Sequence, residues 1–221
     1  MTTSTAAADH RRPLPMTTSN PQSEMNWHTA NATMNMFNDR ASDPWNQTDR
    51  ILDSLGLAEG ESVADIGSGG GYYVFRFSNI VGHEGRVFAV DTNTSFLKEI
   101  GRSAEERDLS NIILTCGSKD EPNLPEGELD VVFMRNSMHH IENPADYARR
   151  IRRSLKEGGR LVVIDYRRKR GWSFHGLFGH SIKKDLFIQE MEAAGFDLAE
   201  DHDFLPEQHF LVFSPKESDR R

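Results

Sequence analysis

Apolar residues along this chain of 221 come in short runs that alternate with segments of helical spacing. Ser62–Ile66, Arg86–Val90, Asn111–Cys116, Leu129–Met134 and Arg160–Tyr166 each read as a buried strand. Each is a brief apolar run rich in β-branched residues, bounded by Gly, Asn or Asp. Between and after them, Tyr72–Ile80, Thr94–Asp108, Pro144–Leu155 and Ile182–Ala194 read as helices closed by glycines or polar turns. An earlier helix is predicted from Asp43, a cap followed by Pro44, with Ile51, Leu52, Leu55 and Leu57 at helical spacing and a stop at Gly56 and Gly60. Two last strands, Asp197–Phe204 and His209–Phe213, have no helix between them. Their short link through Pro206 joins only antiparallel neighbours, because parallel strands need a longer crossover. The expected architecture is α/β: a doubly wound seven-stranded sheet, mostly parallel with one antiparallel strand, helices on both faces.

Residues 1–42 break this pattern. They are rich in Thr, Ser, Asn and Met, show no sustained period, and are expected to be mostly disordered, apart from a short helix over Met25–Asn38. One domain is expected over 43–215, followed by a disordered C-terminus at 216–221. No apolar run is long enough to span a bilayer. The opening MTTSTAAADHRRPLP lacks the apolar centre of a secretory signal, so no export is expected. A single cysteine, Cys116, excludes an internal disulfide framework and a cysteine-rich zinc site, and a cytoplasmic location follows as the default. The formal charge of −8 argues against general nucleic-acid binding, which depends on basic residues neutralising phosphates. Basic residues do crowd together from Arg149 to Arg170. A solvated helix face accounts for them most simply; a docking patch for an acidic substrate or an anionic surface is the sharper alternative.

The chemistry concentrates in the first strand–turn–helix, VADIGSGGGYYV. In open parallel sheets, ligands lie beyond the carboxyl ends of the strands, where the strand order reverses. Glycines there allow positive φ and close backbone approach, and a helix N-terminus offers unpaired amides. Two ligand classes compete. A dinucleotide fingerprint needs a small residue at position 72, where this chain has Tyr72, and a carboxylate at Asp65 would repel a pyrophosphate. The spacing present is Gly67, Gly69, Gly71 behind Asp65, which suits a ligand carrying an ammonium and a sulfonium. Asp91, ending the second strand, can accept ribose hydroxyls in either class.

The segments VADIGSGGGYYVFRFSNIVGHEGRVFAVD, LPEGELDVVFMRNSMHHIENP and LKEGGRLVVIDYR resemble the class I S-adenosylmethionine-dependent methyltransferases. The likeness extends over about residues 43–214. It implies a Rossmann-like sheet ordered 3-2-1-4-5-7-6 with strand 7 antiparallel. It also implies S-adenosyl-L-methionine as cofactor, with Gly67, Ser68, Gly69 and Gly71 along its methionine part and Asp65 near its amino group. Asp91 would take the ribose hydroxyls, Thr92 would lie beside the adenine, and Arg135 and Asn136 would face the methionine end. Many members place Gly-Asp after the third strand, whereas this chain has Gly117, Ser118, Lys119, Asp120. Ser118 or Asp120 is therefore the expected adenine contact, with Phe96 and Leu97 contributing packing.

Methyl transfer needs alignment and exclusion of water, and a base only where the acceptor carries a proton that must leave. His140 is the expected base or acceptor contact, since the family often has His there. His139, Tyr166 and His180 are expected to bind substrate, and HGLFGH is not expected to hold a metal because no carboxylate or cysteine accompanies its histidines. Trp172, Phe174, Leu177 and Phe178 beside the RRKR run suit a small-molecule or lipid-like, amphipathic acceptor. Trp45, Asn46 and Gln47 could fold over the cofactor. The alternatives are a nicotinamide-dependent oxidoreductase, which Asp65 and Tyr72 oppose, and a non-catalytic cofactor-binding module acting through a partner.

Overall fold

β1 (Ser62–Ile66) is buried at every position and lies in the interior of a sheet that extends from it on both sides. The computed structural model describes residues 47–167 and 182–217. The N-terminal tail, the Asp43–Pro44 cap, Trp45, Asn46, Trp172, Phe174, His175, Leu177, Phe178, His180 and the last four residues lie outside the described ones. In chain order, α1 (Thr48–Leu55) precedes β1, and α2 (Tyr72–Val81), β2 (Arg86–Asp91), α3 (Thr94–Glu106), β3 (Ile112–Cys116) and β4 (Leu129–Arg135) follow it. A 3₁₀ turn (Met138–His140), α4 (Pro144–Ser154), β5 (Leu155–Tyr166), α5 (Lys184–Ala193), β6 (Phe196–His202) and β7 (Gln208–Pro215) complete the domain. The seven strands run in the order β3-β2-β1-β4-β5-β7-β6. β1 to β5 pair parallel, and β7 pairs antiparallel with both β5 and β6.

The expected elements differ from the observed ones mainly at their edges. α1 does not begin at the Asp43–Pro44 pair: Gln47 stands in the left-handed region at φ 46° and ψ 46°, and the helix starts after it at Thr48. Gln47 Nε2 instead donates to the Phe204 carbonyl at 2.7 Å, so a long-range contact fixes the entry into this helix. α1 then buries Ile51 and Leu55, each contributing about 1.5–3 kcal/mol from apolar burial. β5 begins earlier than Arg160, because Leu155 already pairs with Leu129 before the register shifts to Val131 and Arg160. α5 begins later than Ile182, which forms a parallel bridge with Arg167.

Alternation along the strands divides the core in two. Val63, Val87, Ala89, Val131, Phe133, Val162 and Ile164 face α1, α2 and α3. Ala64, Ile66, Phe88, Val90, Val132, Met134, Leu161 and Val163 face α4 and α5. This period of two decides where the polar strand ends point. Asp65 pairs in register with Ala89 and with Phe133. Asp91 and Arg135, two residues beyond those partners, therefore emerge on the same face as Asp65.

Several members of the basic run are committed within the domain. Arg150 pairs with Glu121 at 2.5 Å, Lys156 with Asp130 at 2.6 Å, and Arg149 with Asp146. Arg160 donates to the Leu55 carbonyl, and Arg167 to the carbonyls of Gln208 and Leu205. Arg149 and Arg150 lie on α4, whereas Lys156, Arg160 and Arg167 lie on or just after β5. No described helix is long and apolar enough to cross a membrane.

Candidate active site

The turn between β1 and α2 is built from glycines because side chains do not fit. Gly67, Gly69 and Gly71 all have positive φ. A Cβ on Gly67 would lie 2.6 Å from Ser137 Cβ, and one on Gly71 2.9 Å from the Phe75 ring. Ser137 Oγ donates to the Ile66 carbonyl at 2.8 Å, which pins the segment after β4 against this turn. The turn is also tied to β2, since the Gly69 amide donates to Asp91 Oδ2 at 2.9 Å. Asp91 Oδ1 accepts from the Asn93 amide at 2.8 Å. Burial raises the Asp91 carboxyl above its ordinary range while the amides of Asn93, Gly69 and Thr92 pull it back.

Asp65 is 4% exposed and is pushed up to about 8, first by burial, then by the nearby Asp91 charge, with Arg135 opposing. A carboxyl so placed is ready to ionise when a cation arrives. Arg135 Nη1 donates to the Tyr73 hydroxyl and Nη2 to Gln208 Oε1 at 3.3 Å. Gln208 Nε2 in turn donates to Asn136 Oδ1 at 2.5 Å, and Asn136 sits at a positive φ of 54°. The chain thus links α2, the end of β4 and the start of β7. Burial raises the Tyr73 phenol, opposed by the Arg135 charge.

The sequence-expected cofactor residues Asp65, Gly67, Ser68, Gly69, Gly71, Asp91, Arg135 and Asn136 gather at the carboxyl ends of β1, β2 and β4. Thr92 is adjacent and exposed. Ser118 is exposed at the end of β3, and its Oγ accepts from the amides of Asp120 at 3.2 Å and Glu121 at 2.9 Å. Both lone pairs of that oxygen are engaged by these two amides. Phe96 and Leu97 are buried nearby on α3.

The two histidines divide. His140 is exposed, its ring 4.1 Å from that of His139. His139 is half-buried, with 6% of its side chain exposed: Nδ1 lies 2.7 Å from Asp165 Oδ1, and its amide donates to Asp165 Oδ2 at 3.1 Å. Tyr166, beside Asp165, is half-buried. Tyr73, Gln208, Ser137 and Asp165 escaped the sequence reading. Asp165 carried the same signal as Asp65 and Asp91, an acid closing an apolar strand, whereas the others are set by contacts distant in sequence. Among the described residues no three His, Cys, Asp or Glu converge to hold a metal.

The residues present fit an S-adenosyl cofactor. Ser68 Oγ is buried in the turn with no hydrogen-bond partner among the described residues. The α2 N-terminus has no side-chain cap, so its first amides remain available. Residues 64–163 match the family model described as a methyltransferase domain. The match lies within the seven-stranded sheet and spans the glycine turn and the ends of β1, β2 and β4, so this part of the chain resembles a methyltransferase domain. It is 31% identical over 118 residues to the ubiquinone/menaquinone biosynthesis C-methyltransferase UbiE of Psychromonas ingrahamii, covering 52% of this chain and 46% of that protein. To the Pseudomonas savastanoi protein of the same name it is 29% identical over 145 residues, 63% of this chain and 56% of the relative. The chain thus spans about half the length of these curated relatives. In fold it resembles a SAM-dependent methyltransferase of Aquifex aeolicus, with TM-score 0.71, 19% identity, and coverage of 86% and 98%. It also resembles a Haemonchus contortus phosphoethanolamine N-methyltransferase solved with S-adenosylhomocysteine, with TM-score 0.62, 18% identity, and coverage of 78% and 52%.

Proposed function

We propose that this protein transfers a methyl group from S-adenosyl-L-methionine to a small-molecule acceptor of amphipathic character. The observation that carries this reading is the pairing of buried Asp65 with half-buried Asp91 around a glycine turn whose amide is held by Asp91. Asp65 meets the amino group of the cofactor. Gly67, Gly69 and Gly71 let the backbone approach its methionine part, and Ser68 supplies a buried hydroxyl. Asp91 accepts from the backbone amides of Gly69, Asn93 and Thr92 and keeps a lone pair for the ribose hydroxyls. Thr92 and Asp120 border the adenine, while Arg135 and Asn136 border the methionine end. When bound, the sulfonium supplies a methyl group already activated for in-line displacement. The protein's own part is to orient the acceptor, exclude water and accept any proton that must leave.

Similarity to ubiquinone/menaquinone biosynthesis C-methyltransferases supports an acceptor of the quinone-ring kind. Net charge argues against nucleic acid as substrate, and the single cysteine supports a cytoplasmic location. Calorimetry with S-adenosylhomocysteine and with NADH tests the cofactor, and binding of NADH alone would return the chain to the oxidoreductases. Incubation with methyl-labelled cofactor and a fractionated cell extract then tests transfer. Tight cofactor binding with no labelled product in any fraction would favour a non-catalytic module.

A further inference from the structure

Tyr73, the second residue of α2, is buried and packs its ring 4.9 Å from that of Phe133, the residue paired in register with Asp65. The ring also meets Phe77 at 5.7 Å and Tyr72 at 5.3 Å, so packing alone fixes where it stands. Its hydroxyl accepts from Arg135 Nη1, and the guanidinium carbon lies 5.3 Å from the ring centroid. Gln208 Oε1 accepts from Nη2 of the same guanidinium at 3.3 Å. Arg135 stands two residues beyond Phe133, on the face of Asp65, and its charge opposes the upward push of burial and Asp91 on that carboxyl. No hydrogen bond or ion pair nevertheless joins Asp65 to Arg135 among the described residues. A buried carboxyl and a guanidinium on one face gain by closing on each other, because single charges are costly to bury. Tyr73 and Gln208 occupy the donors that such a closure needs.

We propose that Tyr73 is a positioning residue of the cofactor site: with Gln208 it holds Arg135 off Asp65, so that the two opposite charges of an amino-acid zwitterion meet separate partners. The inference rests on the methyltransferase reading and deepens it. Asp65 is kept for the ammonium of the methionine part, and Arg135 for its carboxylate. With the phenol oxygen removed, Arg135 closes on the Asp65 carboxyl, and one internal ion pair takes the place of two ligand contacts. Thr48 of α1 bonds the same phenol and accepts from the Tyr72 hydroxyl at 3.3 Å, which ties the entry helix to this clamp. The charged groups that act on Asp65 are Asp91 from β2 and Arg135 from β4; those that act on Tyr73 are Arg135 and the neighbouring Tyr72 phenol.

The test uses the full chain and needs no acceptor. Carbon-13 NMR of the aspartate carboxyls should show Asp65 of the wild type titrating at about 8. Tyr73→Phe keeps the ring and its packing and removes only the hydroxyl. In this variant Asp65 should titrate about 1–3 pH units lower, as Arg135 closes on it. S-adenosylhomocysteine affinity should fall about 10–100-fold, and the proton released on binding at neutral pH should diminish. Arg135→Met should raise the Asp65 titration instead. In that background Tyr73→Phe should change neither titration nor affinity, since Tyr73 acts through Arg135. A merely structural role for Tyr73 would leave the Asp65 titration where it is. An Asp65 that titrates below about 5 in the wild type overturns the proposal without any variant. So do an unmoved titration in Tyr73→Phe and additive effects of the two substitutions. A wild type that binds no S-adenosylhomocysteine overturns instead the reading on which the proposal rests.

Discussion

The Gly69 amide donates to Asp91 Oδ2 at 2.9 Å, so the turn after β1 is held by the end of the neighbouring β2. This bond joins two residues that the sequence reading assigns to one ligand. It holds the glycine turn firmly, because a charge-assisted bond to a backbone amide is among the stronger neutral-to-ion contacts.

Replacing Asp91 by Asn turns one of its two amide-facing oxygens into a donor that meets an N–H. S-adenosylhomocysteine affinity should fall about 10–100-fold, the equivalent of about 1.5–3 kcal/mol for a hydrogen bond to a charged group. Titration calorimetry on the folded variant measures this, with thermal unfolding as the control.

Gly67→Ala meets two obstacles: a φ of 79° and Ser137 Cβ at 2.6 Å. The left-handed conformation alone costs an L-residue about 1–2 kcal/mol. The variant should unfold at lower denaturant than the wild type. Because Ser137→Gly also removes the Ser137–Ile66 hydrogen bond, the comparison is a double-mutant cycle with Ser137→Gly alone: the two substitutions should be less than additive, and strict additivity would show that no clash exists.

Asp65 gives the protein a definite pH dependence. Its folded-state carboxyl is raised from 3.8 to about 8, first by burial and second by Asp91. Between these values the folded state holds a proton that the unfolded state has released. This contribution to stability is therefore largest at low pH and declines as pH rises from about 4 to about 8, at up to roughly 1.4 kcal/mol per pH unit. Asp65→Asn should remove that slope, which urea unfolding across pH 5 to 8 measures. Because a bound cation favours the ionised carboxyl, cofactor binding near pH 7 should release a proton. The calorimetric heat of binding should then vary with the ionisation enthalpy of the buffer, and a heat independent of buffer would refute this assignment.

Gln208 bridges Arg135 and Asn136 from the start of β7. Gln208→Ala leaves both neighbours short of a partner in a half-buried network, and should destabilise the domain by about 1–3 kcal/mol. Cofactor affinity should fall with it, since Asn136 holds a left-handed turn at the site that the bridge supports. Urea unfolding and calorimetry on the same variant separate the two effects.

The strand–turn–helix from Val63 to Val74 was legible by itself because its information is local: an apolar run, three glycines where backbone must turn, and an acid at each of two strand ends. The same holds for the parallel sheet and its last antiparallel hairpin, which follow from the period of the pattern and the length of each link. Tertiary structure alone decided which histidine of the His139–His140 pair faces Asp165, that Tyr73 and Gln208 hold Arg135, and that Gln47 rather than Asp43 marks the entry to α1. Each of those depends on side chains brought together across the sheet from residues far apart in the chain. Periodicity says which face a residue occupies, but only packing says which distant partner stands there.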